Sequence, residues 1–577
     1  MKSLSAKVTN RLLSAYIRLG DGKFFSCMRK SFISLIPVFL IGAFSIAIIN
    51  FPLKAVNDFV YTFWDGWLYI ILNSIYQCTF GLASIYLLIS VAYRYALASG
   101  FDDKTNTLPI MSAIVAVGSY FALLGVSTEK QENAFSISFG DFNFSINLGV
   151  QSVLVAMICA ALATKLFLKL CLLFDSKFFK PNTGLDVGFY RTIKCILPMV
   201  ITITTFAIVA TLISAVFRVS GIVELISNIF AGILRQIGVR SYGAAFFVIF
   251  LQTIFWFFGL HGGNAFDSVI VELFSDVPGE IITKTILDNF IIIGGCGATF
   301  SLILAILIFS KNKTSRSIAK GSTLPMVFNI NETLIYGLPV MLNPVFFIPF
   351  ILAPLINFTV VYIVSNSGLV TLATGATMPW TTPVLFSGYL ITNSVAGLFL
   401  QLGLIVIDVI IYTPFVKLND AFIKARNARA VNILQKRVSE ANEAREDIKL
   451  LTGTDDVSAI ARKLISEFRY AIANDKVDIY YQPQIDSTGR AVSCEALLRW
   501  NYEDDKFLSP PLIIALAKED NFYDQLNDYV VDNVLKHAVI MNSAIDHDFR
   551  VSVNITATHF MNINYIRKFV DKVNELG

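Results

Sequence analysis

The sequence predicts a polytopic α-helical membrane protein, with about ten spans and re-entrant hairpin loops between them, followed by a soluble part. Three observations carry this. Of 577 residues, 55% are hydrophobic and only 15% charged, whereas soluble proteins have about a quarter charged; mean hydropathy is +0.64. Apolar runs of roughly 18 residues or more read as spanning helices, and such runs lie near 31–51, 67–93, 108–124, 148–174, 193–216, 242–260, 290–309, 345–364 and 385–414. Past Pro414 the composition turns abruptly charged.

Residues 1–30 contain Lys2, Lys7, Arg11, Arg18, Lys23, Arg29 and Lys30 against the single acid Asp21, so the N-terminus is expected on the cytoplasmic side. No cleavable leader is expected, because the first apolar run starts late and is long. The loop KNKTSRSIAK at 311–320 is also basic. Seven runs precede it, which would place it outside. A further crossing at 221–237, GIVELISNIFAGILRQI, restores the rule, makes ten spans and returns the C-terminus to the cytoplasm; the alternative is an amphipathic helix lying flat at the interface. The net charge of +4 says little by itself, and the seven cysteines form no CxxC pair, so neither a disulfide framework nor a zinc site is indicated. Residues 135–146 alternate apolar and polar around Gly140-Asp141, a hairpin pattern.

The segment FNINETLIYGLPVMLNP, residues 328–344, sets Asn329, Asn331, Glu332 and Asn343 between long apolar runs. A charge at the bilayer centre costs at least ~2.5–3.5 kcal/mol, so Glu332 must face protein, water or a ligand. Gly337, Pro339 and Pro344 break the segment, and irregular backbone at membrane depth survives only where it is buried or lines a cavity. The segment therefore reads as a re-entrant loop presenting polar side chains to a pocket; the bland alternative is a solvated glutamate at a cytoplasmic edge. ATGATMPWTTP at 373–383 is a second broken segment, and broken segments of this kind point to a transporter's substrate site. FGLHGGN at 258–264 holds His261, the only histidine of the membrane part. Its flanking glycines allow a ligand to come close and favour His261 and Asn264 as ligand contacts over a structural histidine.

These motifs resemble those of the membrane IIC subunits of the bacterial phosphotransferase system, in the cellobiose/lactose/chitobiose group. The first resembles that group's NEP(I/V)(I/L)FGLP…LNP signature, and GLHGGN and PWTTP match its other landmarks in order. The resemblance covers residues 1–420. Thr333 stands where the family usually has proline. The resemblance implies a permease of the bacterial cytoplasmic membrane, a homodimer among lipids, that binds a sugar and presents it for phosphorylation by a phospho-cysteine IIB subunit. IIB and IIA would act in trans. Glu332 would then be the general base for the sugar hydroxyl, with His261, Asn264, Asn331 and Asn343 binding sugar or fixing the loop. No cofactor or metal is called for there, and no nucleic-acid polymer is a partner. Trp256 and Trp380 suit either stacking on a sugar ring or core packing.

Residues 421–462 are charged and helix-favouring, with Val431, Leu434, Val438, Ala441 and Ile448 at a and d spacing and Arg445 interrupting. A short coiled coil and a connector helix both fit. Residues 463–577 read as strands at 477–484, 491–500 and 549–556, with helices at 511–518 and 523–542. YYQPQ, CEALLRW and VSVNIT in this stretch resemble the cyclic-di-GMP phosphodiesterase domain named for its Glu-Ala-Leu motif. That resemblance implies part of a (β/α) barrel, with Glu495 and Asn554 at the positions of divalent-cation ligands and Gln482 and Arg499 at dinucleotide contacts. Mg²⁺ or Mn²⁺ would be expected only of a complete domain. Such a barrel takes about 250 residues, so residues 463–577 alone are not expected to hydrolyse cyclic-di-GMP. Two functions follow as expectations: a phosphotransferase-coupled permease for a β-linked disaccharide, and a membrane sugar sensor acting on cyclic-di-GMP signalling.

Overall fold

The structure is a computed structural model. It describes residues 23–51, 53–100, 107–124, 135–139, 142–146, 148, 152–175, 192–219, 221–237, 240–258, 274–277, 280–338, 340–341, 343–371, 377–453, 456–503, 506–545, 549–555 and 557–576. The chain divides into two compact units, Met1–Phe422 and Ile423–Gly577.

The first unit is a helical bundle. Among the described residues, seven helices are long and apolar enough to cross a membrane: Lys23–Ile49, Trp67–Leu97, Thr107–Leu124, Val153–Phe174, Thr192–Phe217, Phe347–Asn366 and Val395–Ala444. Tyr242–Phe257 and Thr299–Phe309 are shorter apolar helices. Ile208, Leu212 and Val216 on Thr192–Phe217 are more than half exposed, a face that fits lipid rather than water. In chain order the helices are α1 (Lys23–Ile49), α2 (Lys54–Thr62), α3 (Trp67–Thr79), α4 (Ala83–Leu97), α5 (Thr107–Leu124), α6 (Val153–Asp175), α7 (Ile196–Phe217), α8 (Ile222–Ile237), α9 (Tyr242–Phe257), α10 (Thr299–Phe309), α11 (Lys313–Val327), α12 (Glu332–Gly337), α13 (Phe347–Asn366), α14 (Phe386–Thr392) and α15 (Val395–Ala444). Between α5 and α6, strands β1 (Phe135–Phe139) and β2 (Phe142–Ile146) pair antiparallel with Phe139 opposite Phe142, the hairpin expected there; Gly140 and Asp141 lie outside the described residues.

These helices do not map one to one onto ten spans. The run at 290–309 is not one helix. A π-helical turn, Leu287–Ile291, comes first, and α10 starts only at Thr299 with 11 residues, about half of a bilayer's thickness at 1.5 Å per residue. Gly294, Gly295 and Gly297 between them all have positive φ, a conformation that glycine adopts without steric cost. The run at 385–414 is also divided, into α14 and α15 with Asn393 at φ 48° between them. α15 then continues through Pro414 to Ala444, because the residues beyond Pro414 are strong helix formers. It ends where Arg445 turns to φ 55°.

In the second unit, strands β3 (Asp478–Ile485), β4 (Ala491–Arg499) and β7 (Arg550–Val553) form a sheet of order β3-β4-β7, antiparallel then parallel. Two short strands, β5 (Asn501–Glu503) and β6 (Lys506–Phe507), make a separate ladder. Helices α16 (Asp456–Ala473), α17 (Pro510–Glu519), α18 (Tyr523–Ala544), α19 (Ala557–Phe560) and α20 (Ile563–Leu576) complete it. The parallel step from β4 to β7 passes through α17 and α18, the crossover that parallel pairing requires. The β3–β4 turn is closed by Asp486, whose Oδ1 accepts from Thr488 N at 2.8 Å and Arg490 N at 3.1 Å. Hydrogen bonds, that of the Thr488 hydroxyl foremost, hold its carboxyl below the usual carboxylate range.

The heptad-like positions after Pro414 serve neither a coiled coil nor an exposed connector. Ala430, Leu434 and Val438 are buried with Leu464, Phe468, Leu512 and Leu516 in the core of the second unit. Glu519 accepts from the backbone N–H groups of Leu450 at 2.6 Å and Leu451 at 3.0 Å, fixing the segment after α15. Replacing Leu434, which is fully buried, by Ala is expected to cost this unit about 2–5 kcal/mol. Thermal unfolding followed by a probe in the second unit measures it.

A candidate sugar site at three broken segments

Asn312 caps α11 by accepting from Ser315 N at 2.9 Å. At the other end of that helix the chain turns through Asn329, at φ 61°, a left-handed conformation that asparagine tolerates better than most residues. Its side chain binds two other broken segments at once. Oδ1 accepts from Gly294 N at 2.7 Å, and Nδ2 donates to the carbonyls of Trp380 at 2.6 Å and Thr382 at 3.1 Å. Asn331 Nδ2 donates to Cys296 O at 3.3 Å and Thr299 Oγ1 at 3.2 Å. Thus NINE at 329–332, GGCG at 294–297 and PWTTP at 379–383 form one hydrogen-bonded assembly. The irregular backbone that a bilayer would penalise is satisfied by side-chain amides.

Gly295 shows how close the approach is. A Cβ there would lie 2.4 Å from Asn331 Nδ2, and its φ is +87°. Gly295→Ala is expected to displace Asn331 and lower stability by about 1–3 kcal/mol, read as a fall in the unfolding temperature of the detergent-solubilised protein.

Glu332 begins α12. It is 7% exposed, and its Oε2 has no hydrogen-bond partner among the described residues. Thr333 Oγ1, on the same turn, and Thr381 Oγ1, in PWTTP, are likewise buried without partners among those residues. The turn is packed from α1, where Phe32 stacks on Tyr336 with ring centroids 5.0 Å apart and planes 10° apart, a contact worth about 0.5–1.5 kcal/mol. A buried carboxylate with a free oxygen is a poor structural element. It is a good acceptor for a hydroxyl brought in by a ligand.

Asn343 Oδ1 accepts from Val345 N at 3.0 Å, and its Nδ2 donates to Asn419 Oδ1 on α15, also at 3.0 Å. Asn343 and Asn331 therefore hold the loop. His261 and Asn264 lie outside the described residues, as does Pro339. Trp256, at the end of α9, is 6% exposed and belongs to the core, and Trp380 is half-buried against the same core. The reading from sequence missed the glycine turn at 294–297. Its signal was there, since GGCG interrupts an otherwise apolar run.

In the second unit, Glu495 and Gln482 are directly opposite each other on β4 and β3, and Glu495 faces Ser552 on β7. Asn554 Nδ2 donates to Glu495 Oε1 at 2.9 Å, so the sheet brings Gln482, Glu495 and Asn554 to one face. Arg499 lies four pairs further along β4, opposite Asp478, and donates to Leu498 O at 2.9 Å. One carboxylate and one amide fall short of the six oxygens that Mg²⁺ or Mn²⁺ prefers. Among the described residues no group of three or more His, Cys, Asp or Glu is placed to hold a metal. These residues alone do not fit a divalent cation.

A helical bundle with seven helices long and apolar enough to cross a membrane, whose broken segments meet at Asn329 and Asn331 beside the buried Glu332, defines a multi-pass membrane protein. The chain belongs to the family described as Phosphotransferase system, EIIC, whose model matches residues 29–354. It carries a C-terminal EAL domain, matched over residues 465–576. The chain is similar to the PTS system oligo-beta-mannoside-specific EIIC component of Bacillus subtilis (strain 168), 25% identical over 434 residues, covering 72% of this chain and 93% of that protein. It is also similar to the lichenan permease IIC component of the same organism, 26% identical over 427 residues, 70% of this chain and 90% of that protein. The crystal structure of the transporter ChbC, the IIC component from the N,N'-diacetylchitobiose-specific phosphotransferase system, aligns with a TM-score of 0.41 at 23% identity, covering 70% of this chain and 95% of that one.

Proposed function

We propose that this permease binds a β-linked disaccharide at the assembly of NINE, GGCG and PWTTP and presents it for phosphorylation on the cytoplasmic side. The observation that carries this is the buried oxygen of Glu332 that has no hydrogen-bond partner among the described residues, held on a turn that Asn329 and Asn331 fix. The β-linkage rests on the oligo-beta-mannoside relative. Glu332 is the general base. The sugar hydroxyl oxygen attacks the phosphorus of a phospho-cysteine on a IIB partner, the O–P bond forms and the S–P bond breaks. The thiolate leaves, and the hydroxyl proton goes to Glu332. His261 and Asn264 contact sugar hydroxyls, while Asn331 and Asn343 position the loop. IIA and IIB act in trans on a homodimer in the cytoplasmic membrane, and the basic segments 1–30 and 311–320 support a cytoplasmic position for both termini.

A second reading is favoured by the match to an EAL domain: a sugar sensor that acts on cyclic-di-GMP signalling through residues 463–577. On that reading Glu495, Asn554, Gln482 and Arg499 retain the position of a dinucleotide and cation site without completing it. Sugar phosphorylation with IIA and IIB supplied separates the two readings.

Calorimetric binding of a panel of β-linked disaccharides to detergent-purified wild type, Glu332→Gln and His261→Ala tests the site. Binding by wild type that weakens about tenfold in each variant, the loss of one hydrogen bond to a charged or polar partner, supports it. Unchanged binding in both variants overturns it.

A further inference from the structure

A second buried carboxylate lies in the membrane unit, away from the motifs discussed above. Asp408 on α15 and Asn357 on α13 are both 0% exposed. Asn357 Nδ2 donates to Asp408 Oδ2 at 2.8 Å and to Ile291 O at 3.1 Å. Both bonds demand an N–H donor, so they fix which end of the amide is nitrogen. Two polar atoms of the pair then remain, Asp408 Oδ1 and Asn357 Oδ1, and neither has a hydrogen-bond partner among the described residues. Both are acceptors if Asp408 is ionised. Two orphan acceptors and a net charge inside a membrane helix bundle form an arrangement that folding disfavours strongly.

The charged and titratable groups around the pair do not relieve it. On α13 the only one is Tyr362. On the π-helical turn Leu287–Ile291 it is Asp288, bridged by Lys284 at 2.6 Å. On the glycine turn it is the buried Cys296. One turn along α15 is Tyr412, whose hydroxyl donates to Gly297 O. Among the described residues no cation is placed to bond Asp408 Oδ1.

One proton resolves both orphans. A protonated carboxyl has one O–H donor and keeps an acceptor oxygen. With the proton on Oδ1, Asp408 accepts from the amide N–H at Oδ2 and donates to the amide oxygen, so acid and amide make two complementary hydrogen bonds. We infer that Asp408 is a proton-binding site of this permease, its proton shared with Asn357 and joining α13, α15 and the turn at Ile291. That turn leads into the glycines that Asn329 and Asn331 hold, so the proton stabilises the backing of the sugar site. Ionising Asp408 restores two orphan acceptors and adds a buried charge, so the stabilisation is lost when Asp408 gives up its proton.

The test needs no sugar, so it stands apart from the proposed function. Infrared difference spectra of the detergent-purified full chain at neutral pH should show a protonated-carboxyl C=O band in wild type and in Glu332→Gln that disappears in Asp408→Asn. Asp408→Asn, which supplies an N–H donor and a carbonyl acceptor permanently, should unfold at or above the wild-type temperature. Asp408→Ala should unfold below it. If Asp408→Asn does not fold, Asn357→Leu keeps the test open, because it should shift the band rather than remove it. Two results overturn the inference: a band unchanged by every Asp408 and Asn357 variant, or a wild type stabilised by sodium or potassium over choline in a way that Asp408→Asn abolishes. The second would mean an ionised Asp408 holding a monovalent cation.

Discussion

Glu332→Gln is expected to lower the single-turnover rate of sugar phosphorylation about 10²–10⁴-fold, the usual contribution of a general base, while weakening sugar binding only about tenfold. Glutamine keeps the shape and the hydrogen-bonding oxygen and cannot take the proton. Oε2 has no hydrogen-bond partner among the described residues, so the substitution is expected to be mild for folding. Quench-flow phosphorylation with phospho-IIB, beside calorimetric binding, separates the two effects. Equal losses in binding and rate would show that Glu332 only holds the sugar.

Asn329→Ala is expected to have the largest effect on stability. It removes three hydrogen bonds, from Gly294 N and to the carbonyls of Trp380 and Thr382, and leaves their partners buried. It also puts alanine at φ 61°. Orphaned groups cost about 1–3 kcal/mol each and the left-handed backbone about 1–2 kcal/mol; partial relaxation brings the expected total to about 3–5 kcal/mol. The unfolding temperature of the detergent-solubilised protein should fall, and sugar binding should be lost with it. Asn329→Gly relieves the backbone but not the bonds, and should recover about 1 kcal/mol. A wild-type unfolding temperature in both variants would mean that the three segments are held some other way.

The membrane character and the polar loop were legible from the sequence because both stand out against their surroundings. Apolar runs mark spans, and a carboxylate with three amides among them marks a site. The strands and helices of residues 478–544 were legible for a similar reason, since alternating and helical periods are distinct there. Where physical cues were averaged away, the reading failed. The run at 290–309 is apolar in the mean, and its three glycines at 294, 295 and 297 break it into a turn and the short α10. Asp408 and Asn357 sit inside runs 385–414 and 345–364 that hydropathy scores as spans, so their pairing across α15 and α13 was invisible until the helices were placed. Leu434 and Val438 have heptad spacing, which does not say what they pack on; they pack on their own chain.

The most direct test of the account is the fate of a β-linked disaccharide in right-side-out membrane vesicles that contain this protein and are loaded with phospho-IIB. The account predicts sugar phosphate inside the vesicles with wild type, and little or none with Glu332→Gln. Sugar that binds to wild type yet is never phosphorylated under these conditions would contradict it.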